Sequence, residues 1–132
     1  MLITEINVLI VDDVNSMRVN IRELLRGAGF RTVRVASSVE EAKPLLEAEP
    51  FQLVLADLHM EPLNGMDFLQ YVRAHPVHKG IAFVLVTAEN TKEHVIGAIT
   101  AGVDDYIMKP FTAVQLQNKV YGVLQRKKVI GL

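Results

Sequence analysis

Apolar residues recur along this chain with two periods that alternate. Val8-Leu9-Ile10-Val11 is a short run rich in β-branched residues that ends on Asp12-Asp13, and it predicts a buried strand. Met17, Ile21, Leu24, Leu25 and Ala28 then fall on one helical face, which predicts a helix capped near Asn15 and closed by Gly27 and Gly29. Thr32 to Ala36 alternates polar and apolar, as a half-exposed edge strand does. Ser38-Val39-Glu40-Glu41 has the capping-box pattern and opens a second helix, with a kink expected at Pro44. Leu53-Val54-Leu55-Ala56-Asp57 is an apolar run that stops on one carboxylate, and it reads as a third, buried strand. Phe68, Leu69 and Val72 predict a third helix that starts at Asn64 or Gly65 and ends at His75-Pro76. Ala82 to Thr87 is a fourth buried strand. Glu89 to about Ala101 predicts a fourth helix with Val95, Ile96 and Ile99 inward on a thin apolar face, stopped by Gly102. Asp105-Tyr106-Ile107-Met108 is a short fifth strand ended by Lys109-Pro110. Leu116, Val120, Val123 and Leu124 mark the last helix, with Arg126, Lys127 and Lys128 at its negative end.

Strand and helix alternate five times, which predicts an α/β fold: a doubly wound, five-stranded parallel sheet with five helices on its two faces. One domain over residues 1–132 is expected, with no output domain and no linker. Gly27-Ala28-Gly29 follows a helix rather than a strand, so it reads as a helix stop and not as a dinucleotide fingerprint. Half of the 132 residues are hydrophobic and 22% are charged, the balance of a folded globular chain. No apolar run is long enough to span a membrane, and the first residues lack the basic and apolar regions of a signal peptide, so a cytoplasmic location is expected. The absence of cysteine excludes disulfides, thiol catalysis and thiolate metal sites. A net charge of −1 argues against a nucleic-acid groove.

The chemistry-bearing residues collect where strands stop. Asp12 and Asp13 follow the first strand, Asp57 ends the third, Thr87 the fourth, and Lys109 follows the fifth. In doubly wound sheets the site lies at the carboxyl ends of the strands, where the winding reverses. In a 2-1-3-4-5 strand order, Asp12, Asp13 and Asp57 converge there, with Thr87 and Lys109 on the other side of Asp57. Two unit charges 4 Å apart repel by roughly 4 kcal/mol at an effective dielectric near 20. A cation can offset that cost, and oxygen-only ligands favour Mg²⁺. A carboxylate nucleophile, a fixed ammonium and a hydroxyl donor then make a site for phosphoryl transfer onto Asp57. His75-Pro76-Val77-His78 has metal-pair spacing but reads as a polar helix-to-strand loop.

Five motifs in order resemble the receiver domain of two-component response regulators, and within it the single-domain chemotaxis branch. They are Val11-Asp12-Asp13, the strand ending in Asp57, Val86-Thr87-Ala88-Glu89, Ala101-Gly102, and Tyr106 through Lys109-Pro110-Phe111-Thr112. The similarity spans about residue 6 to about residue 127. The resemblance implies a flavodoxin-like fold with strand order 2-1-3-4-5 and one Mg²⁺ held by Asp13, Asp57 and the backbone carbonyl of His59, with Asp12 acting through water. It implies that Asp57 is the phosphoacceptor for a histidine kinase, that Lys109-Pro110 is cis, and that Thr87 and Tyr106 are the switch residues. It also implies that downstream partners dock on the face of the fourth helix, fifth strand and fifth helix. His59 and Glu89 are read as tuning phosphoryl lifetime, and Lys92 and Lys119 as surface charges within reach of a kinase or target. A monomer is expected, without nucleic-acid or membrane partners. One departure stands out: Met60 is followed by Glu61, so that Pro62 comes one place late while Gly65 keeps its spacing.

Competing readings are weaker on the residues. Docking to a flagellar motor component, onward relay of the phosphoryl group and service as one module of a longer protein are the three outputs open to a receiver, and the run from Thr87 to Thr112 slightly favours the first. A Mg²⁺-dependent phosphatase would carry an acid at position 59, where this chain has His59, and it would need a cap domain. A flavin module needs a Ser/Thr/Gly-rich phosphate cradle, and the loop Asp12-Asp13-Val14-Asn15-Ser16 is acidic. A pseudo-receiver would not retain all five site residues.

Overall fold

A computed structural model describes residues 1–89 and 91–131 of the chain. It contains β1 (Asn7–Val11), α1 (Asn15–Gly27), β2 (Thr32–Ala36), α2 (Val39–Ala48), β3 (Leu53–Asp57), α3 (Gly65–Ala74), β4 (Ala82–Thr87), α4 (Lys92–Ala101), β5 (Asp105–Met108) and α5 (Ala113–Arg126), after a short 3₁₀ turn at Ile3–Glu5. The strands form one sheet in the order β2-β1-β3-β4-β5, and every pairing is parallel. The alternating pattern thus folds as expected, in the doubly wound order that reverses between β1 and β3.

Every residue of β3 and β4 is buried, because helices cover both faces of the sheet there. β2 lies at one edge and keeps Arg34 exposed, which explains its polar-apolar alternation. One core joins Val8, Ile10, Leu53, Leu55, Val84 and Val86 to Ile21 and Leu25 of α1 and to Leu116, Val120, Val123 and Leu124 of α5. The other joins Leu9, Val11, Val54, Phe83 and Leu85 to α2 and α3, with Ala98 of α4. Each fully buried Leu, Val or Phe contributes about 1.5–3 kcal/mol. The burial of the central strands therefore fixes the register that delivers their last residues. No helix among the described residues is long and apolar enough to cross a membrane.

Local expectations were met unevenly. Asn64 caps α3 and forms a reciprocal capping box with Asp67, and Thr112 does the same with Gln115 at α5. Ser38 caps α2 through Glu41 N–H, but the Glu41 carboxylate turns to Ser37 instead of closing the box, and the Ser37 contacts hold its pKa low. α2 runs through Pro44 as one helix. Asn15 is the first residue of α1 and not its cap, which is Val14 with no side-chain bond. Gly27 lies inside α1, and the turn is made at Gly29, whose φ is 107°.

α4 departs most. It begins at Lys92 behind a Thr91 cap, and Ile96 and Ile99 are 51% and 66% exposed. Ala98 is its one buried residue and Val95 is half-buried, so the helix turns its small-residue side to the core beside α3 and leaves its large apolar residues outside. Asn90 falls outside the described residues.

Candidate functional site

Sheet register sets the site. β1 pairs Val11 with Ala56 of β3, one residue before Asp12 and Asp57, so the two acids leave neighbouring strands at the same height. Asp57 is opposite Val86 and Thr87 is opposite Met108, which places Thr87 and Lys109 one strand and two strands further along. All five site residues expected at the strand ends lie at this end of the sheet.

Asp12, Asp13 and Asp57 each offer a carboxylate oxygen within 4.8 Å of the other two. Asp12 is buried and Asp57 is 8% exposed, whereas Asp13 opens to solvent. Lys109 Nζ reaches Asp12 Oδ2 at 3.1 Å and Asp57 Oδ2 at 3.4 Å, so it bridges the two buried acids. Asp12 Oδ1 accepts from the Val14 amide at 2.9 Å, which turns the loop into α1, and Arg18 donates to the Asp12 carbonyl at 2.7 Å. Asp57 Oδ1 accepts from the His59 amide at 3.3 Å. Burial pushes the Asp57 carboxyl above its ordinary pKa; the Lys109 charge opposes that and Asp12 adds to it.

With the acids ionised, one ammonium faces three carboxylates, and the donor set is oxygen only. These residues fit a hard divalent cation. A cavity of ≈ 340 Å³ opens beside them, lined by Asp13, His59, Met60, Glu61 and Asn64. Glu61 therefore adds a carboxylate to the mouth of the site. Both Glu61-Pro62 and Lys109-Pro110 are cis; the second was expected and the first was not.

Thr87 is fully buried, and its hydroxyl accepts from the Glu89 amide at 3.1 Å. The Lys109 amide donates to the Thr87 carbonyl at 2.8 Å, tying the ends of β4 and β5 together. Tyr106 is half-buried, and its hydroxyl donates to the Glu89 carbonyl, so the fifth strand is pinned to the loop that follows β4. Burial, and then the Glu89 charge, raise the Tyr106 pKa. The Glu89 carboxylate bridges two imidazoles, His59 Nε2 at 2.6 Å and His94 Nδ1 at 2.7 Å, and Thr91 Oγ1 lies 2.7 Å from the same His94 nitrogen.

The sequence reading paired His59 with Glu89 but missed His94. Helical spacing from the Thr91 cap was the one signal for it. Arg73 was also missed. Its guanidinium donates to the carbonyls of Gly102, Lys79 and Ile81 and to the Asp104 carboxylate, which joins the end of α3 to the start of β5.

Comparison with known proteins decides the family. The description of the response regulator receiver domain matches residues 8–121. The chain is a response regulator receiver domain. The receiver is 38% identical over 119 residues to the chemotaxis protein CheY-3 of Vibrio cholerae, an alignment that covers 90% of this chain and 92% of that protein. It is equally identical to the chemotaxis protein CheY of Pseudomonas aeruginosa, covering 96% of it. Among solved structures, the V. cholerae chemotaxis protein CheY4 superposes with a TM-score of 0.85 at 27% identity, over 90% of the receiver and 98% of that chain. A probable two-component response regulator/GGDEF domain protein superposes with a TM-score of 0.88 at 26% identity, over 96% of the receiver but 52% of that longer chain.

Proposed function

We propose that this receiver is a phosphorylation switch in which Asp57 takes a phosphoryl group from a histidine kinase. The carrying observation is the Asp57 carboxylate at the end of a fully buried strand, within reach of Asp12, Asp13 and the Lys109 ammonium. In the transfer an Asp57 oxygen forms a bond to phosphorus while the phosphorus–nitrogen bond of phosphohistidine breaks, and the imidazole keeps its electron pair. Lys109 holds positive charge against the phosphoryl oxygens, which stabilises the transition state where charge is spread over them. Asp13, Asp57 and the His59 carbonyl would hold Mg²⁺ directly and Asp12 through water; the ion supplies neutralisation of phosphoryl charge. Attack of water on the same phosphorus returns Asp57, so the chain resets itself but turns over no external substrate.

The output is binding. Thr87 breaks its bond with the Glu89 amide to donate to the phosphoryl group, and the β4–α4 loop that also holds Tyr106 rearranges. A downstream protein then docks on the α4, β5 and α5 face, where Ile96 and Ile99 are already exposed. Phosphorylation moves this equilibrium by no more than its differential interaction with the two packings. His59 and Glu89 tune phosphoryl lifetime from the edge of the site. The names of the two 38%-identical relatives favour chemotaxis as the pathway. A second reading, a receiver module of a longer regulator, is favoured by the likeness to half of the GGDEF-containing chain.

Incubation with Mg²⁺ and a small phosphodonor tests the proposal by intact mass. One phosphoryl adduct that is absent in Asp57→Asn is expected; an adduct that survives the substitution refutes it. Chemical shifts at Thr87, Tyr106 and α4 must move with the adduct for the switch to stand.

A further inference from the structure

We propose that Glu47, His75 and His78 form a second metal site, specific for a borderline first-row divalent ion such as Zn²⁺, at the end of the sheet opposite Asp57. The sequence shows only His75 and His78, three apart in a loop. The fold brings in Glu47 from α2, and one ligand atom from each of the three residues lies within 4.8 Å of the others. Glu47 Oε1 is 3.3 Å from His78 Nε2 and 3.6 Å from His75 Nε2, and the two rings stack with centroids 3.9 Å apart, so both point one nitrogen at the same carboxylate. Ligands about 2.1 Å from a tetrahedral centre are about 3.4 Å apart, which these atoms already approach. Two imidazoles and one carboxylate suit zinc and its neighbours and not Mg²⁺, which prefers oxygen ligands. The two metal sites are therefore separated by chemistry as well as by position.

The electrostatics agree. Glu47 lies in the last turn of α2, a turn with no basic residue, and His75 caps the end of α3. Both helices thus turn their negative ends to this corner. The basic residue in the last turn of α3, Arg73, is committed to Gly102, Lys79, Ile81 and Asp104. Among the described residues Glu47 pairs with no lysine or arginine, while its neighbour Glu49 pairs with Arg34. His78 is buried and so holds its ring in place, while Glu47 is open to solvent on a cavity of ≈ 330 Å³ that the three residues help to line. Three protein ligands and an open side describe an exchangeable site, with water or an outside donor completing the coordination.

Loading has a readable signature. His75 Nδ1 now accepts from the amides of Val77 at 3.1 Å and His78 at 3.3 Å. Ligation through Nε2 moves the ring proton to Nδ1, so those two amides lose their acceptor and their resonances shift.

The test titrates Zn²⁺ into the full chain, stripped by chelator and then held in excess Mg²⁺, with ¹⁵N NMR and calorimetry as readouts. One equivalent binds; the imidazole signals of His75 and His78 and the amides of Val77 and His78 move, while His59 and His94 stay. Half-exposed His75 and exposed Glu47 provide the variants, because His78→Ala removes a buried side chain and tests folding as well. His75→Gln and Glu47→Gln each weaken binding about tenfold or more, with melting in chelator unchanged. Zinc affinity unaltered in both variants, or shifts confined to His59, His94 and the Asp57 end, would overturn the site.

Discussion

α4 and α5 flank the same strand, yet they are held in different ways. α5 buries Leu116, Val120, Val123 and Leu124 in the core it shares with α1. Beyond that core, Lys119 and Arg126 reach Asp105 of β5 at 3.1 Å and 3.2 Å. α4 buries Ala98 alone; the Thr91 cap and the His94–Glu89 contact tie its start, and a left-handed Gly102 over Arg73 ties its end. A helix held by a packed apolar face has one position. A helix held at its ends over a small-residue face can shift with little loss of packing. The contrast teaches where a signal from Asp57 can go, since the loop that carries Glu89 leads directly into α4.

The largest test of the contrast is to cut into the anchored helix. Leu124→Ala is expected to lower stability by about 2–5 kcal/mol in denaturant unfolding, because the side chain is fully buried and its removal leaves a cavity. Next is the end tie of α4. Gly102 has φ 93°, and a Cβ there would lie 3.3 Å from Arg73 Nε, so Gly102→Ala is expected to cost about 1–2 kcal/mol and to speed hydrogen exchange along α4 before α5.

Smaller still is the charged link of α5 to β5. Burial alone would raise the Asp105 pKa, but the Tyr106 amide, Lys119 and Arg126 outweigh it and hold the carboxyl below its ordinary value. A depressed carboxyl stabilises the fold above its unfolded pKa and loses that contribution as pH falls through the folded pKa. Both cationic partners are about half exposed, so Asp105→Asn is expected to cost roughly 0.5–1 kcal/mol at neutral pH. The gap to wild type should close in melts below the usual carboxylate range. The smallest effect is Ile99→Ala on the open side of α4, within about 0.5 kcal/mol of wild type in stability. The same substitution should weaken capture of the downstream partner; an unchanged partner affinity would remove α4 from the proposed docking face.

The same contrast explains what was legible in the sequence. The strands were readable because β3 and β4 are buried on both sides, which leaves an apolar run no ambiguity. Asp57 was readable for the same reason: a carboxylate that ends such a run is conspicuous. The inward face of α4 was not. Val95, Ile96, Ala98 and Ile99 share one broad arc, so the pattern does not tell which edge of that arc faces in, and the space under the helix next to Met66 and Arg73 admits the small residues. Glu47, Arg73 and His94 escaped for another reason. Glu47 and Arg73 act on groups brought to them by the fold, as Arg73 does on Asp104 thirty-one positions away, and nothing local marks them, whereas His94 had only its spacing from Thr91 to mark it.

Gly65 has its own consequence. Its amide donates to the Leu58 carbonyl at 3.0 Å, and a Cβ at this position would sit 2.3 Å from the Asp57 carbonyl oxygen and 2.9 Å from Leu85. The first turn of α3 therefore abuts the backbone of the acid itself, with no side chain between them to absorb a displacement. Asp57 thus has a hard wall towards α3 and a soft one towards Thr87 and α4. A push delivered at the carboxylate meets backbone on the α3 side, and the missing methyl group of a glycine is what lets that wall stand so close.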